Sequence, residues 1–349
     1  MAASAEAEAP RPKTAAAMAA EFEKRLLRLD AALLAGDKEA AAEAMRAVNT
    51  LAPPVKPRQQ REECTLDEDE LVLRHLRRIL ETARKDGIAA AQKLEERGTK
   101  PPLEQSAAVI DKILALFPAQ EKPLPAAPVR VQTNMKTRPD LAVSFKNVAD
   151  DVYSRKKKLA AGRSRVTNDF VKANMGRMSA AGKEALTRVI QFIGNGRVPL
   201  EWTELRTLLT TSRGVALGKD DGGIRPIGIS DVFLQIACGV IARKVAPAAA
   251  PYCGGNFAVG TKGGTEALSH TIRALLESDP SLLAISLDVQ NAFNTLCRAG
   301  LLSSLFEISE EKPESDELQV LTRLGVFLYG APTEPRPSTH APSLAQSRL

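Results

Sequence analysis

Proline placement sets the first limit on how this chain can fold. Pro53, Pro54 and Pro57 form one cluster, Pro118 and Pro128 bound a second Pro-containing stretch, and four prolines follow Gly330. Proline lacks a backbone donor and its ring clashes with the preceding turn, so no helix runs through these clusters. The piece before the first cluster is helical in pattern. Leu26, Leu27, Leu29, Leu33 and Leu34 recur at turn spacing, Gly36-Asp37 interrupts, and an alanine-rich run resumes to Val48 and Leu51. That pattern predicts a helical hairpin over about 18–51. A further helix is expected from Thr65, where Thr65-x-x-Glu68 has the capping-box form, through Leu71, Leu76 and Leu80 to the mid-90s. A shorter one should cover about 103–117.

The texture changes after about Arg130. Helical runs (roughly 143–158, 167–175 and 179–193) precede β-favouring segments at Leu205–Thr211 and Val215–Leu217. A turn, Gly218-Lys219-Asp220-Asp221-Gly222-Gly223, leads into a second strand over Ile224–Ile229. Helices are expected from Asp231 to about Val245 and from about Thr265 to Leu276. Leu282–Leu287 reads as a buried strand that delivers Asp288 at its C-terminal end. The fold class is therefore α+β with a mixed sheet. Its divisions are an Ala-rich disordered leader (1–17), a helical extension (18–117), a linker (118–139), an α+β domain (140–333) and a disordered Pro-rich tail (334–349).

Composition excludes several classes. Lys plus Arg is 48 against 42 for Asp plus Glu, a net charge of +6 that permits a polyanionic partner without requiring one. Cys64, Cys238, Cys253 and Cys297 make no CxxC pair and the three histidines are scattered, which argues against zinc and against a disulfide framework. Reduced thiols and an intracellular, soluble setting fit this usage. No window approaches about 18 uninterrupted apolar residues, so no membrane span is expected. The cations do cluster: Arg155, Lys156, Lys157, Lys158, Arg163 and Arg165 fall within eleven residues. Such a run suits nucleic-acid phosphates, and a solvated helix end accounts for it about as well.

The chemistry-bearing segment is Ala284-Ile-Ser-Leu-Asp288-Val-Gln-Asn-Ala-Phe293-Asn294. An acid at the end of an apolar strand is held rigidly at a sheet edge without full burial, as a divalent-cation ligand requires. A strand-end Asp also serves commonly as a helix cap or turn residue. D-x-x-x-A-F-N after an apolar strand resembles the first catalytic motif of reverse transcriptases of non-LTR (LINE-type) retrotransposons. Upstream, Lys219 to Arg225-Pro226-Ile227 resembles the fingers motif K-x-x-G-x-R-P-I of that family. Gly260-x-x-x-Gly264-Thr265-Glu266-Ala267 resembles the segment that leads to the catalytic strand. Gly196-Arg197-Val198-Pro199 with Trp202 is similar to the family's approach to the fingers. Leu159-Ala-Ala-Gly162-Arg163-Ser164 is similar to A-P-G-x-D-G but carries alanine for proline and lacks the acid.

The resemblance implies roles residue by residue. Asp288 and the carbonyl of Val289 would hold Mg²⁺, with Asp288 catalytic. Phe293 would lie under the sugar and reject a 2′-hydroxyl. Lys219 and Arg225 would grip the dNTP triphosphate, and Lys262 with the 155–165 cations would face template or primer. It also implies a partial right-hand polymerase, fingers and the first half of the palm, behind the helical extension, with an RNA template, a DNA primer and nuclear residence. From the residues alone, Lys219 reads as a surface turn residue and Arg225 as a paired strand residue, while the 263–266 segment is equally a helix start capped by Thr265.

Polymerase chemistry needs a second carboxylate cluster to hold two metals about 3.5–4 Å apart. No Asp-Asp pair follows Asp288. Glu310-Glu311 and Asp316-Glu317 read as parts of a polar loop, and Asp220-Asp221 lies in the hairpin turn on the wrong side of the first motif. The expectation is a C-terminally truncated enzyme, inactive as this chain. A non-catalytic nucleic-acid-binding remnant, or a helical protein-interaction module attached to a decayed polymerase domain, are the alternatives.

Overall fold

A computed structural model describes residues 14–51, 76–77, 79–81, 84, 106–117, 122–156, 159–219, 222–253, 256, 263–287, 289, 292 and 295–330. It is mostly helical (66% helix) with one two-stranded antiparallel sheet among the described residues, and no polymerase fold is identified. The chain divides into two compact units. One comprises Met1–Ala52, Leu116–Arg213 and Ile229–Leu349, and the other Pro53–Ala115 and Gly214–Gly228.

The larger unit begins with the helical hairpin. Helix α1 (Ala15–Ala35) starts on Thr14, whose hydroxyl accepts from the Ala17 N–H at 3.1 Å, and ends at Gly36 in the left-handed region at φ 69°. Asp37 caps α2 (Lys38–Thr50) by accepting from the Ala40 N–H at 2.9 Å. Phe22, Leu26, Leu29 and Leu33 fall on one face of α1 and are buried with Ala41, Met45 and Val48 of α2. The small alanines let the two backbones approach closely, and the Arg25 guanidinium locks them by donating to the Ala47 carbonyl and to Thr50.

The helix expected from Thr65 to the mid-90s falls mostly outside the described residues. The short helix expected near 103–117 is α3 (Ala107–Ala115), which belongs to the smaller unit. Helix α4 (Val129–Thr137) returns the chain to the larger one, inside the stretch expected to be a linker.

The hairpin does not stand apart from the later helices. Its core is continuous with α5 (Phe145–Ser154), α6 (Asn168–Met175), α7 (Ala180–Gly194) and α9 (Val232–Ala249). The Phe22 ring meets Phe170 edge-on with centroids 5.2 Å apart, and the Arg188 guanidinium donates to both oxygens of buried Asp30 at 2.7–3.1 Å. The buried residues of the hairpin and of these helices form one continuous core. Glu23 adds a second tie by accepting from the Ser179 N–H and hydroxyl at the α7 N-terminus.

Helix α8 (Thr203–Thr210) corrects the strand expected over Leu205–Thr211. Leu205 and Leu209 are four apart and both buried, a helical period that outweighs the β preference of the threonines. The Thr207 and Thr210 hydroxyls return to the carbonyls of Thr203 and Arg206 at 2.7 and 2.8 Å, the usual way a helix accommodates threonine. Two more helices, α11 (Arg298–Glu311) and α12 (Asp316–Tyr329), replace the expected polar loop. Glu310-Glu311 end α11, while Asp316-Glu317 fill the first turn of α12 after the Ser315 cap, where acids oppose the helix dipole.

Helix α9 is the centre of this unit, with eight buried residues from Val232 to Val245. Its mean hydropathy over an 18-residue window is 1.4, so by length and composition it meets the requirement for crossing a bilayer despite Arg243 and Lys244. Here its apolar sides pack on α5, α7, α8 and α12. Close approach to α7 depends on Gly194, where a Cβ would come within 2.7 Å of Ile241. A buried Arg206 ties α8 to the end of α12, donating from Nε to the Phe327 carbonyl at 2.8 Å.

Candidate functional site: exposed cations and the 263–289 arm

In the smaller unit, strand β1 (Arg213–Gly218, of which Gly214 onward belongs to this unit) pairs with β2 (Ile224–Ile229). The turn closes through the Lys219 N–H on the Gly223 carbonyl at 2.8 Å and the Gly222 N–H on the Lys219 carbonyl at 3.3 Å. Gly222 sits at φ 75°, a conformation that costs glycine little and other residues more. This hairpin carries Lys219 at the turn and Arg225 on the following strand, both exposed and neither ion-paired among the described residues. Asp220 and Asp221 lie outside the described residues.

The basic stretch of the larger unit divides in two. Arg155 is committed to internal contacts: its guanidinium donates to Asp151 at 2.7 Å and to the Gln235 carbonyl at 2.7 Å. Asp151 is 2% exposed and also takes Arg243 at 2.7 Å, so two cations compensate one buried carboxylate. Lys156, Arg163 and Arg165 are exposed, with no carboxylate partner among the described residues. Lys157 and Lys158 lie outside them. From 162 to 166 exposure alternates, with Gly162, Ser164 and Val166 buried and Arg163 and Arg165 outward. The segment is anchored because Gly162 abuts the Ser230 carbonyl, where a Cβ would come within 2.5 Å, and because the Arg213 Nε donates to the Ala161 carbonyl at 2.9 Å. Arg165 takes φ 62°, so this presentation is held against a local preference.

Behind these arginines lies a carboxylate that the sequence marks only as the start of a helix. Asp231 is fully buried, caps α9 through the Phe233 N–H at 2.9 Å, and leaves Oδ2 without a hydrogen bond. Burial pushes its pKa up to about 6, partly restrained by the Ser164 hydroxyl and the Phe233 N–H. Ser230-Asp231 before an apolar run was the available signal for the cap. Asp151 is marked in the sequence only by the i,i+4 spacing of Arg155, since its second partner, Arg243, becomes a neighbour only on folding.

The arm from 263 to 289 departs most from expectation. Helix α10 (Gly264–Ser278) follows Gly263 at φ 67° and has no side-chain cap, so Thr265 does not close it. Gly264 is its sole buried residue, and Leu268, Ile272, Leu275 and Leu276 are 38–52% exposed. Leu282–Leu287 is not a buried strand. It has no ladder partner among the described residues, and Leu283, Ile285 and Leu287 are 87%, 80% and 87% exposed. Alternation alone does not make a strand, because backbone groups must pair with a neighbour. Val289 is 67% exposed, while Asp288, Phe293 and Lys262 lie outside the described residues.

Among the described residues no group of three or more His, Cys, Asp or Glu side chains gathers as a metal site. Val289, beside the undescribed Asp288, is 67% exposed, and its carbonyl accepts from the Ala292 N–H at 3.3 Å. No protein-family model, curated protein or solved structure matches this chain.

Proposed function

We propose that this chain descends from the reverse transcriptase of a LINE-type retrotransposon and acts, as it stands, by binding nucleic acid rather than by extending it. Three motif segments in the family's order support the descent: Lys219 to Ile227, Gly260 to Ala267, and Asp288 to Asn294. The observation that carries the reading is the β1–β2 hairpin. It offers Lys219 at a glycine turn and Arg225 on the next strand, both solvent-facing, as a triphosphate or phosphate-backbone grip requires. Exposed Lys156, Arg163 and Arg165 favour the binding component, since cations with no carboxylate partner among the described residues retain their attraction for phosphates. In this reading the hairpin belongs to the fingers of a partial right-hand polymerase, the partners are an RNA template and DNA primer, and residence is nuclear.

Catalysis is not expected of these 349 residues by themselves. Asp288 is one carboxylate, and no Asp-Asp pair follows it to complete a two-metal centre. Primer extension on an RNA template with Mg²⁺ and dNTPs should yield no product above that of Asp288→Ala. Triphosphate binding followed by fluorescent dNTP titration should weaken roughly tenfold in Arg225→Ala, in keeping with removal of one charge-assisted hydrogen bond of about 1.4 kcal/mol. Incorporation abolished by Asp288→Ala would overturn the inactive assignment. Equal triphosphate affinity in wild type and Arg225→Ala would remove the support the hairpin gives.

A further inference from the structure

The turn that carries Arg163 and Arg165 covers Asp231. Gly162 lies against the start of α9, where a Cβ would come within 2.5 Å of the Ser230 carbonyl oxygen and 3.0 Å of the Asp231 Cα. That carbonyl is held in place by the Gln235 side-chain amide at 2.7 Å. The turn closes through the Arg165 N–H on the Gly162 carbonyl at 3.3 Å. The Ser164 hydroxyl accepts from the Val166 N–H at 3.2 Å and hydrogen-bonds Asp231 beneath it. Asp231 is 0% exposed, and its Oδ2 has no hydrogen-bond partner. Two features oppose the shut turn. Arg165 holds φ 62°, against the preference of any residue with a side chain. An ionised Asp231 also strands a charged oxygen away from water, a cost that opening the turn to solvent relieves and that protonation removes.

The charged groups on the elements around Asp231 do not take the proton's place. Arg163 and Arg165 turn outward, Arg213 of β1 is on the Ala161 carbonyl, and Asp169 fills the first turn of α6. Arg155 of α5 is on Asp151 and the Gln235 carbonyl, and Glu23 of α1 is on Ser179. On the other helices packed against α9, Arg188, Arg206 and Arg323 are committed to Asp30, the Phe327 carbonyl and Asp140. Burial therefore sets the behaviour of this carboxyl, opposed by its hydrogen bonds to Ser164 and Phe233.

We propose that the 162–166 turn is a proton-gated cover. With Asp231 neutral the turn is shut and holds Arg163 and Arg165 outward for phosphate. With Asp231 ionised it opens, and the two arginines lose that fixed presentation. This regulation rests on the nucleic-acid reading above and adds that phosphate binding and proton uptake favour each other. Because the carboxyl titrates at about 6 when covered, above its ordinary 3.8, the shut turn binds the extra proton and is favoured as pH falls.

The test compares the full chain with Asp231→Asn, which keeps the cap and stays neutral throughout. At about pH 7.5 the variant should bind a labelled single-stranded RNA at least about threefold more tightly than wild type, and the two should agree at about pH 5. Histidine titration is common to both and cancels in the ratio. Hydrogen exchange of the 162–166 amides reads the cover without RNA, and at about pH 7.5 it should be slower in the variant by at least about threefold. Gly162→Ala, whose Cβ meets the Ser230 carbonyl, should do the reverse, with faster exchange and weaker RNA binding at both pH values. Equal exchange in wild type and Asp231→Asn, equal RNA affinity at about pH 7.5, or an affinity difference that persists at about pH 5 would each overturn the proposal. RNA binding by neither protein, with exchange still slowed in Asp231→Asn, would overturn the nucleic-acid reading and leave the gated cover standing.

Discussion

Helices α9 and α10 carry apolar residues at the same turn spacing and have opposite fates. In α9, Phe233, Ile236, Val240 and Ile241 are 0–2% exposed, enclosed by α5, α7, α8 and α12. In α10, Leu268, Ile272, Leu275 and Leu276 stay 38–52% exposed, and the extended 282–287 segment that follows is more open still. Apolar periodicity names a face that gains by burial, and only the availability of a partner surface determines whether burial happens. The core helices find their partners within the described residues and the arm finds none there.

That contrast can be broken most sharply by truncating one side chain in each region. Phe233→Ala should cost about 3–5 kcal/mol in urea unfolding, as for a fully buried ring. Leu275→Ala should stay within about 0.5 kcal/mol, the range for surface positions. Comparable losses in both variants would mean that α10 is packed in solution.

The next largest effect comes from Asp231, the buried cap of α9. Its pKa is raised from 3.8 to about 6, so between those values the native state binds more protons than the unfolded state. The favourable contribution is fully present below about pH 4, declines as pH rises toward 6, and is absent above. A shift of this size corresponds to about 3 kcal/mol. Asp231→Asn keeps the cap and removes the charge, so chemical denaturation should show the variant more stable than wild type at pH 7 and the difference vanishing near pH 4. A gain that persists unchanged at pH 4 would point to a cause other than ionisation.

Smaller again is the tie between the helical hairpin and α7. Arg188→Ala leaves Asp30 at 5% exposure without its bidentate partner, and about 1–2 kcal/mol of stability should disappear. Part of the pair's value is screened because the Arg188 side chain is 44% exposed. Smallest in stability is Leu283→Ser with Leu287→Ser on the arm. The unfolding midpoint should hold while concentration-dependent light scattering falls, because an unpaired apolar extended segment is an aggregation template.

Much of the helical architecture was legible from local chemistry. Gly36-Asp37 marked the hairpin turn, Thr167 and Ser179 stood where caps were needed, and the glycine turn at 222–223 marked β1–β2. The misreadings share a cause. Leu205–Thr211 holds enough threonine to look extended, but the Leu205–Leu209 period and carbonyl-bonded hydroxyls make it helical. Leu301, Leu302, Leu305 and Phe306 offered a helical stripe that the surrounding serines and acids obscured. Leu282–Leu287 has strand composition, yet strand formation depends on a neighbour that no local pattern encodes. The Asp151–Arg243 pairing and the Arg323 cluster were illegible for a similar reason: Asp140 and Arg323 are 183 positions apart.

The most direct test is the salt dependence of RNA binding. A fluorescently labelled single-stranded RNA titrated with the full chain from about 50 to 200 mM salt should give a linear fall of log affinity with log salt. In the triple variant Lys156→Ala, Arg163→Ala, Arg165→Ala that slope should become shallower by about 2, near 0.7 for each phosphate no longer neutralised. No measurable affinity at about 50 mM salt, or a slope the three substitutions leave unchanged, would contradict a nucleic-acid-binding role for this surface.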